Sequence, residues 1–405
     1  MQKNTNHYNF TKVFLHYLFF ISLFLVFASP LKGGTLAPLV SLVTIIFYWN
    51  REAILSRLHW VFLICWVVSL VLSILLSVDS ANSAKGTYDI IRGFLFIFPA
   101  LIIKKSSLSD TLKPAVTTVL SIGILFSALT LYFDFTNSTH LLVRYTPLVS
   151  QIFGNPNDYA TGIAIVLIAI FCLILFEDNL RRTQYYLLWL TFVMLLYAEL
   201  ALISRGTILA LFFTMTVLIF IKSSWRIFFC FLSSLLLFVL LWVKFGDTAS
   251  ERYIDIITKY GGNITSHRDV IWKKTLQAWL NSPWFGHGIN TFKNSGVYPG
   301  LTKPHNIYIE ALYSFGLIGL IPILLSAYLL IKKAIRNWEI NFYNTFGLGL
   351  AIYVGIKGSF DMKLASVYFG AYLATIIAFL ASSPTHADKL TLQNQQKTFS
   401  EENVK

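Results

Sequence analysis

The chain has 405 residues, of which 56% are hydrophobic and only 13% are charged. A soluble globular protein carries about twice that share of charged residues, so the composition excludes one and predicts a membrane protein. The net charge of +13 would suit a nucleic-acid binder, but the basic residues fall mostly in short loops between apolar runs. No soluble domain remains to present a basic patch, which argues against nucleic acid as a partner.

Apolar runs of about 20 residues, the length that crosses a hydrocarbon core of about 30 Å, follow one another along the chain. The first run is interpreted as a retained span rather than a signal peptide, because a second apolar run follows at once. The sequence predicts twelve spans, at 13–29, 34–49, 60–78, 88–103, 114–134, 158–176, 185–203, 206–221, 226–245, 308–331, 342–359 and 362–382. The predicted fold class is all-α, a polytopic membrane protein of about 12 transmembrane helices.

The Lys and Arg residues of the short loops divide unequally between the two sides of the predicted bundle. One side carries twelve of them and the other carries five. The positive-inside rule assigns the richer side to the cytoplasm, so both termini are expected inside. Four regions follow: transmembrane helices 1 to 9 in 1–245, one large external loop domain in 246–307, transmembrane helices 10 to 12 in 308–382, and a disordered cytoplasmic tail in 383–405.

The external loop contains a predicted amphipathic helix over 267–280. Ser266 is its expected N-cap, with Asp269 as the capping-box partner three residues on, and apolar residues recur behind it at helical spacing. Pro283 ends the helix, and a turn-rich segment around His287 follows. We expect this helix to lie on the membrane surface or on the bundle.

Two arginines of the external face stand out as candidates for binding an anion. Arg205 lies in a tight Ser-Arg-Gly turn between two spans, where a guanidinium either faces a polar cavity or extends to the lipid headgroups. Arg268 lies on the first turn of the loop helix, where it is either solvated or joins the helix N-terminus in binding phosphate oxygens. The residues by themselves leave both alternatives open.

The loop returns to the membrane through Lys-Pro-His-Asn-Ile-Tyr-Ile-Glu at 303–310. His305 and Asn306 are expected at, or just before, the N-terminus of the tenth span. Histidine exchanges a proton near neutral pH and therefore suits a general base, although a lone interfacial histidine is more often a headgroup neighbour. Glu310 lies inside a span and is a functional candidate with an unknown partner.

Other polar residues occur near the external ends of the spans. Asn157 or Asp158 is expected to cap the sixth span, and Arg92, Lys357 and Asp361 are further charges, of which Arg92 looks best placed to join an anion site. The sequence has no Walker loop, no zinc-type spacing and no cluster of paired acids. This pattern predicts a site for an anionic ligand, with no metal and no cofactor.

Four short motifs occur in a fixed order on this face. They are a Ser-Arg-Gly turn that starts a span, an Arg-x-x-x-Trp loop helix, a Ser-Pro-Trp-Phe-Gly-His-Gly segment and a Pro-His-Asn-Ile-Tyr-Ile-Glu segment. Together they resemble the O-antigen ligase and polymerase superfamily of Gram-negative inner membranes, most specifically from about residue 204 to 320. The resemblance implies a metal-independent, inverting glycosyltransferase whose active site faces the periplasm and whose donor is a glycan on undecaprenyl diphosphate.

The resemblance also implies roles for individual residues. Arg205 and Arg268 would surround the donor diphosphate, and His305 would deprotonate or orient the acceptor hydroxyl. These three are the catalytic candidates. The candidates for substrate binding are Arg92, His287 and Asn306.

Within the superfamily the ligase branch is preferred, because one modest external loop follows the ninth span. Its acceptor is a lipid A-core sugar hydroxyl, and its product is lipopolysaccharide. An O-antigen polymerase and a protein O-oligosaccharyltransferase remain alternatives. A transporter of lipid-linked glycan would predict charges near the bilayer midplane and repeated halves, which the sequence does not favour. The expected partners are the lipid-linked donor, lipid A-core and membrane lipids.

Overall fold

The computed structural model describes residues 57–105, 108–136, 156–178, 180–202, 204–222, 267–299, 301–336 and 340–381, with a few separate positions elsewhere. The predicted spans 13–29, 34–49 and 226–245 lie outside these ranges. So do the expected N-cap Ser266 and the expected cytoplasmic tail. The structural description below refers to the described ranges.

All regular structure in these ranges is helical, which confirms the predicted all-α fold class. The helices are α1 (Arg57–Leu75), α2 (Ser80–Phe94), α3 (Ile97–Lys105), α4 (Leu108–Thr136), α5 (Pro156–Phe176), α6 (Arg182–Ala201), α7 (Arg205–Lys222), α8 (Arg268–Trp279), α9 (Ile307–Arg336), α10 (Phe342–Asp361) and α11 (Val367–Ala381). Among them, four stretches are long and apolar enough to cross a membrane, namely Leu112–Thr130, Asn157–Phe176, Arg205–Lys222 and Ile307–Arg336. The total of twelve spans stays a prediction.

The predicted span 88–103 was wrong as a single helix, because it falls on two helices, α2 and α3. α2 begins eight residues earlier than that span, where the Asp79 carboxylate accepts a hydrogen bond from the Asn82 amide at 3.1 Å. The break before α3 has a physical cause in Pro99. Proline has no amide hydrogen to donate to the preceding turn, so a continuous helix through this point would lose a hydrogen bond.

The predicted span 362–382 also begins later than expected, because α11 becomes helical only at Val367. The Ser366 hydroxyl accepts a hydrogen bond from the Phe369 amide at 3.2 Å, which is the contact of an N-cap. Residues 362–366 therefore form a linker between α10 and α11 rather than the start of a span.

α5 is the central helix of the described bundle. It packs against α4, α6, α7 and α10, and its residues 159–176 are all buried. Apolar residues occupy all faces of this helix, and a helix of that kind belongs in the interior. Around it, α9 packs against α1 and α8, while α11 packs against α2, α3 and α10.

α9 is broken at Gly316, whose backbone has φ of 61° and ψ of −173°. The segment 283–288, between α8 and α9, inserts into this break and pairs with the backbone groups that the break releases. Four hydrogen bonds make the connection: Leu317 N to Pro283 O (3.0 Å), Ile318 N to Trp284 O (3.0 Å), His287 N to Tyr313 O (2.8 Å) and Gly288 N to Ser314 O (3.0 Å). An interrupted helix at membrane depth is stable only if its free backbone groups find such partners.

The same segment is also attached to the C-terminal end of α1. The Ile289 amide donates to the Ser73 hydroxyl at 2.8 Å, and the Ser77 hydroxyl donates to the His287 carbonyl at 3.1 Å. The segment 283–289 is thus wedged between α1 and α9. Because α8 precedes it directly, this wedge holds α8 against α9.

Candidate functional site

Asp361, the last residue of α10, joins three segments at the end of the bundle where α5 and α9 begin. Its Oδ1 atom lies 2.8 Å from His305 Nδ1 and 3.0 Å from Lys303 Nζ, while its Oδ2 atom accepts a hydrogen bond from Asn157 Nδ2 at 2.7 Å. The Asp361 side chain is 7% exposed and that of His305 is 26% exposed. We call these four residues the Asp361 cluster. A carboxylate that receives three donors, one of them a lysine ammonium, is well stabilised in its ionised form.

The position of His305 in this cluster follows from local structure at the start of α9. The Asn306 side chain accepts hydrogen bonds from the amides of Tyr308 and Ile309, at 3.0 and 3.2 Å, and so caps α9. This confirms that His305 and Asn306 lie at the N-terminus of that span. His305 itself has φ of +60°, a conformation that costs about 1–3 kcal/mol in non-glycine residues and persists where its surroundings enforce it.

The turn that carries Arg205 is connected to the Asp361 cluster through Ser204. The buried Ser204 hydroxyl donates to Asn157 Oδ1 at 3.3 Å, and Asn157 in turn donates to Asp361. Lys357 donates to Ser204 Oγ at 3.3 Å and to Thr207 Oγ1 at 2.6 Å. A continuous hydrogen-bonded network therefore links the first turn of α7 to His305.

The Ser-Arg-Gly turn needs a glycine at position 206 because α10 lies directly against it. A Cβ atom at this position would come within 2.9 Å of Phe360 Cβ on α10, closer than side-chain carbons pack. The glycine lets the start of α7 lie directly against the last turn of α10. Arg205, at the first position of α7, is exposed beside this contact.

Arg268 is the first residue of α8, and His267 occupies the N-cap position with φ of +62°. The helix thus begins one residue later than the predicted 267–280, because His267 has a left-handed backbone, and the capping role of Ser266 stays a prediction. Arg268 shares a helix face with Trp272, one turn on. The indole of Trp272 donates to the Pro304 carbonyl at 3.1 Å, so this face of α8 lies against the peptide that precedes His305.

Residues 190–324 match the family model described as O-antigen ligase. The chain is therefore similar to the O-antigen ligase family over about a third of its length. The matched region contains all three catalytic candidates, and it confirms the resemblance to the O-antigen ligase and polymerase superfamily. No curated protein matches the chain significantly.

Two of the substrate-binding candidates, Arg92 and His287, have defined contacts in the structure. Arg92, in the last turn of α2, forms an ion pair of 3.6 Å with Asp89 and lies 5.2 Å from the centre of the Tyr88 ring. His287 Nε2 donates to the Ala278 carbonyl at 2.9 Å, and its ring stacks on that of Tyr313 at 4.6 Å. The contacts of Arg92 lie within α2, those of His287 fix the segment 283–289, and the substrate-binding roles stay predictions.

The buried Glu310 has a partner that the sequence did not reveal. Its Oε2 atom accepts a hydrogen bond from the Leu364 amide at 3.1 Å, so this carboxylate holds the linker 362–366 against α9. Burial lowers the pKa of Lys363 in the same linker, while the charges of Glu310 and Asp89 act in the opposite direction. Glu310 therefore holds in place the linker that lines the site, and it does so from a buried position.

The sequence pattern gives too little weight to four residues of this network, namely Lys303, Lys357, Asp361 and Asn157. Lys357 and Asp361 are four residues apart, a spacing that puts both on one helix face, and this signal was available. The sequence pattern favours Arg92 as a further cation of the anion site. In the structure, Lys303 and Lys357 are the cations in direct contact with the network. The sequence predicts only a helix-capping role for Asn157, because its contact with Asp361 spans 204 residues and no local pattern indicates it.

A cavity of about 280 Å³ lies beside the Asp361 cluster. Its lining comes from the start of α5, the segment before α9, the linker 362–366 and the start of α11. The lining residues are Asp158, Thr161, Thr302, Lys303, Asp361, Met362, Lys363, Ser366, Tyr368 and Tyr372. Among the described residues no three His, Cys, Asp or Glu side chains come together as possible metal ligands.

Proposed function

We propose that this protein is an O-antigen ligase of a Gram-negative inner membrane, with its active site facing the periplasm and both termini in the cytoplasm. It would transfer a glycan from undecaprenyl diphosphate to a sugar hydroxyl of lipid A-core and so complete lipopolysaccharide. The observation that carries the proposal is the contact of His305 Nδ1 with Asp361 at 2.8 Å. His305 lies inside the region that matches the O-antigen ligase family.

This contact fixes the tautomer of the histidine. A carboxylate only accepts hydrogen bonds, so Nδ1 carries the hydrogen and the lone pair of the neutral ring is on Nε2. Nε2 would take the proton of the acceptor hydroxyl as its oxygen attacks the anomeric carbon of the donor sugar. The bond from that carbon to the diphosphate oxygen breaks, the electron pair leaves with the diphosphate, and direct displacement inverts the carbon. Asp361 stabilises the imidazolium that results.

Arg205 and Arg268 support the departure of the diphosphate. Each is the first residue of a helix, α7 and α8 respectively, where free backbone amides and the helix dipole favour an anion. The forked guanidinium matches phosphate oxygens in geometry and charge. Two such groups at the external face would neutralise the charge that develops on the leaving group, which is the largest contribution an enzyme can make to such a step.

The test combines purified protein with cells. His305→Ala and Arg268→Ala are expected to abolish transfer from the lipid-linked donor to lipid A-core while leaving the amount of protein in the membrane unchanged. Normal capped lipopolysaccharide from either variant would overturn the residue assignment. Conversion by wild-type protein in detergent, where no compartments exist, excludes transport as the activity.

A deletion strain separates the ligase from the polymerase. Loss of a ligase leaves lipopolysaccharide without O-antigen and polymer stranded on the lipid carrier. Loss of a polymerase leaves single repeat units attached to the core. The ligase proposal expects the first pattern, and the second pattern would assign the protein to the polymerase branch.

A further inference from the structure

The cavity beside the Asp361 cluster contains polar groups whose hydrogen bonding is incomplete. The Tyr368 hydroxyl is buried and has no hydrogen-bond partner within the part of the chain that the structure describes. The Asp158 carboxylate feels the charges of Lys303 and Lys357, but no hydrogen bond or ion pair joins it to another described residue. A buried polar group without a partner is costly, and where it faces a cavity it indicates a bound polar molecule.

The lining indicates what kind of molecule fits. Lys303 and Lys363 contribute two positive charges and Asp158 and Asp361 two negative charges, so the formal charges of the cavity cancel. The remaining polar groups are hydroxyls. A phosphate would face two carboxylates here, whereas each hydroxyl of a sugar can donate to a carboxylate and accept from an ammonium. The volume of about 280 Å³ lies just below the range of drug-sized pockets, which suits a single sugar ring.

We propose that this cavity is the acceptor subsite and binds one neutral, hydroxyl-rich sugar unit, with Asp158 and Tyr368 as its specificity-determining residues. The inference rests on the proposed function. The Asp158 carboxylate accepts hydrogen bonds from hydroxyls of that sugar, and the Tyr368 hydroxyl completes its own hydrogen bonding through the same ligand.

The acceptor fits this cavity better than the donor sugar does. Asp361 and Lys303 line the cavity and also contact each other and, through Asp361, His305. A sugar bound there lies beside the base that activates the attacking hydroxyl. The donor sugar is bonded directly to a diphosphate, and the two carboxylates of the cavity would repel that group. The arginines at the starts of α7 and α8 suit the diphosphate instead.

Tyr368→Phe is the sharpest test, because it removes a hydroxyl that has no hydrogen-bond partner among the described residues. The change should leave the thermal unfolding temperature in detergent unaltered. In a transfer assay with purified full-length protein, we expect the KM for lipid A-core to rise about 3- to 10-fold, the effect of one neutral hydrogen bond. The KM for the lipid-linked donor should stay at the wild-type value.

Asp158→Asn keeps the shape of the side chain and removes its charge. We expect a rise of about 10- to 100-fold in the KM for lipid A-core, since hydrogen bonds to a charged group are stronger. The matched control is Asp178→Asn, because that side chain is 92% exposed and pairs with Lys222 at the opposite end of the bundle. The control should behave as wild type in both KM values.

The outcomes separate this inference from the proposed function. Wild-type acceptor KM values in both Tyr368→Phe and Asp158→Asn, with an active enzyme, would overturn the subsite alone. A rise in the donor KM rather than the acceptor KM would overturn its assignment to the acceptor. Wild-type protein that transfers no glycan to lipid A-core would overturn the proposed function and, with it, the subsite.

Discussion

Replacement of Asp361 by asparagine tests the centre of the site with the smallest change in shape. Asp361 accepts from His305 and Lys303 on one oxygen and from Asn157 on the other. An asparagine has one oxygen and one amide nitrogen in place of the two carboxylate oxygens. The amide nitrogen is a hydrogen-bond donor, and it must take one of the two positions that donors of neighbouring residues surround. If the nitrogen faces His305, then Nδ1 must accept and the hydrogen moves to Nε2. The base is lost in that arrangement.

If the oxygen faces His305, the amide nitrogen meets the Nδ2 group of Asn157, and the link to Ser204 is disturbed. Both arrangements also remove the charge that stabilises an imidazolium. We expect kcat to fall about 10²- to 10⁴-fold, the range for loss of general base catalysis or of the correct tautomer. The free energy of unfolding should fall by about 1–3 kcal/mol, because one buried donor loses its acceptor.

The assay measures initial rates of transfer with both substrates saturating, and the thermal unfolding temperature of the same preparation. The fall in kcat should be far larger than loss of folded protein explains. Asp178→Asn, at the opposite end of the bundle, should match wild type in both measurements. An Asp361→Asn variant with wild-type kcat would refute the role of Asp361 in orienting His305.

Three further predictions follow from the packing and the network. Gly316→Ala should lower stability by about 2–4 kcal/mol, since its Cβ would lie 2.5 Å from Gly286 N at a φ of +61°; thermal unfolding measures this. Gly296→Ala is the control, because Gly296 also has positive φ but open space around it, and an equal loss in both variants would contradict the wedge. Lys357→Met should reduce transfer by at least about 10-fold, because the buried ammonium holds Ser204 and Thr207 beside Arg205, and wild-type rates would exclude that role. Prolonged treatment with EDTA should leave the transfer rate unaltered, and a loss that Mg²⁺ or Mn²⁺ restores would contradict chemistry based on Arg and His.

The sequence was sufficient for features that depend on neighbouring residues. The apolar length of a span is a local property, and the nine predicted spans within the described ranges all fall on helices. The cap at Asn306 and the helix that starts at Arg268 are likewise local. Two predicted spans had the wrong bounds despite a continuous apolar composition. Pro99 divides 88–103 into two helices, and the Ser366 cap delays the start of the helix in 362–382.

Only the tertiary structure decided which polar residues meet. His305 and Asp361 are 56 residues apart, and Asn157 and Asp361 are 204 apart, so no local pattern connects them. Apolar helices share one surface chemistry, and their sequences therefore do not specify which neighbour each one takes. Close contacts at glycines do specify it, as at Gly206 against Phe360 of α10 and at Gly316 against the segment 283–288. The sequence determined the helices and the motifs, and only these contacts and the hydrogen bonds between distant residues decided which motifs lie together.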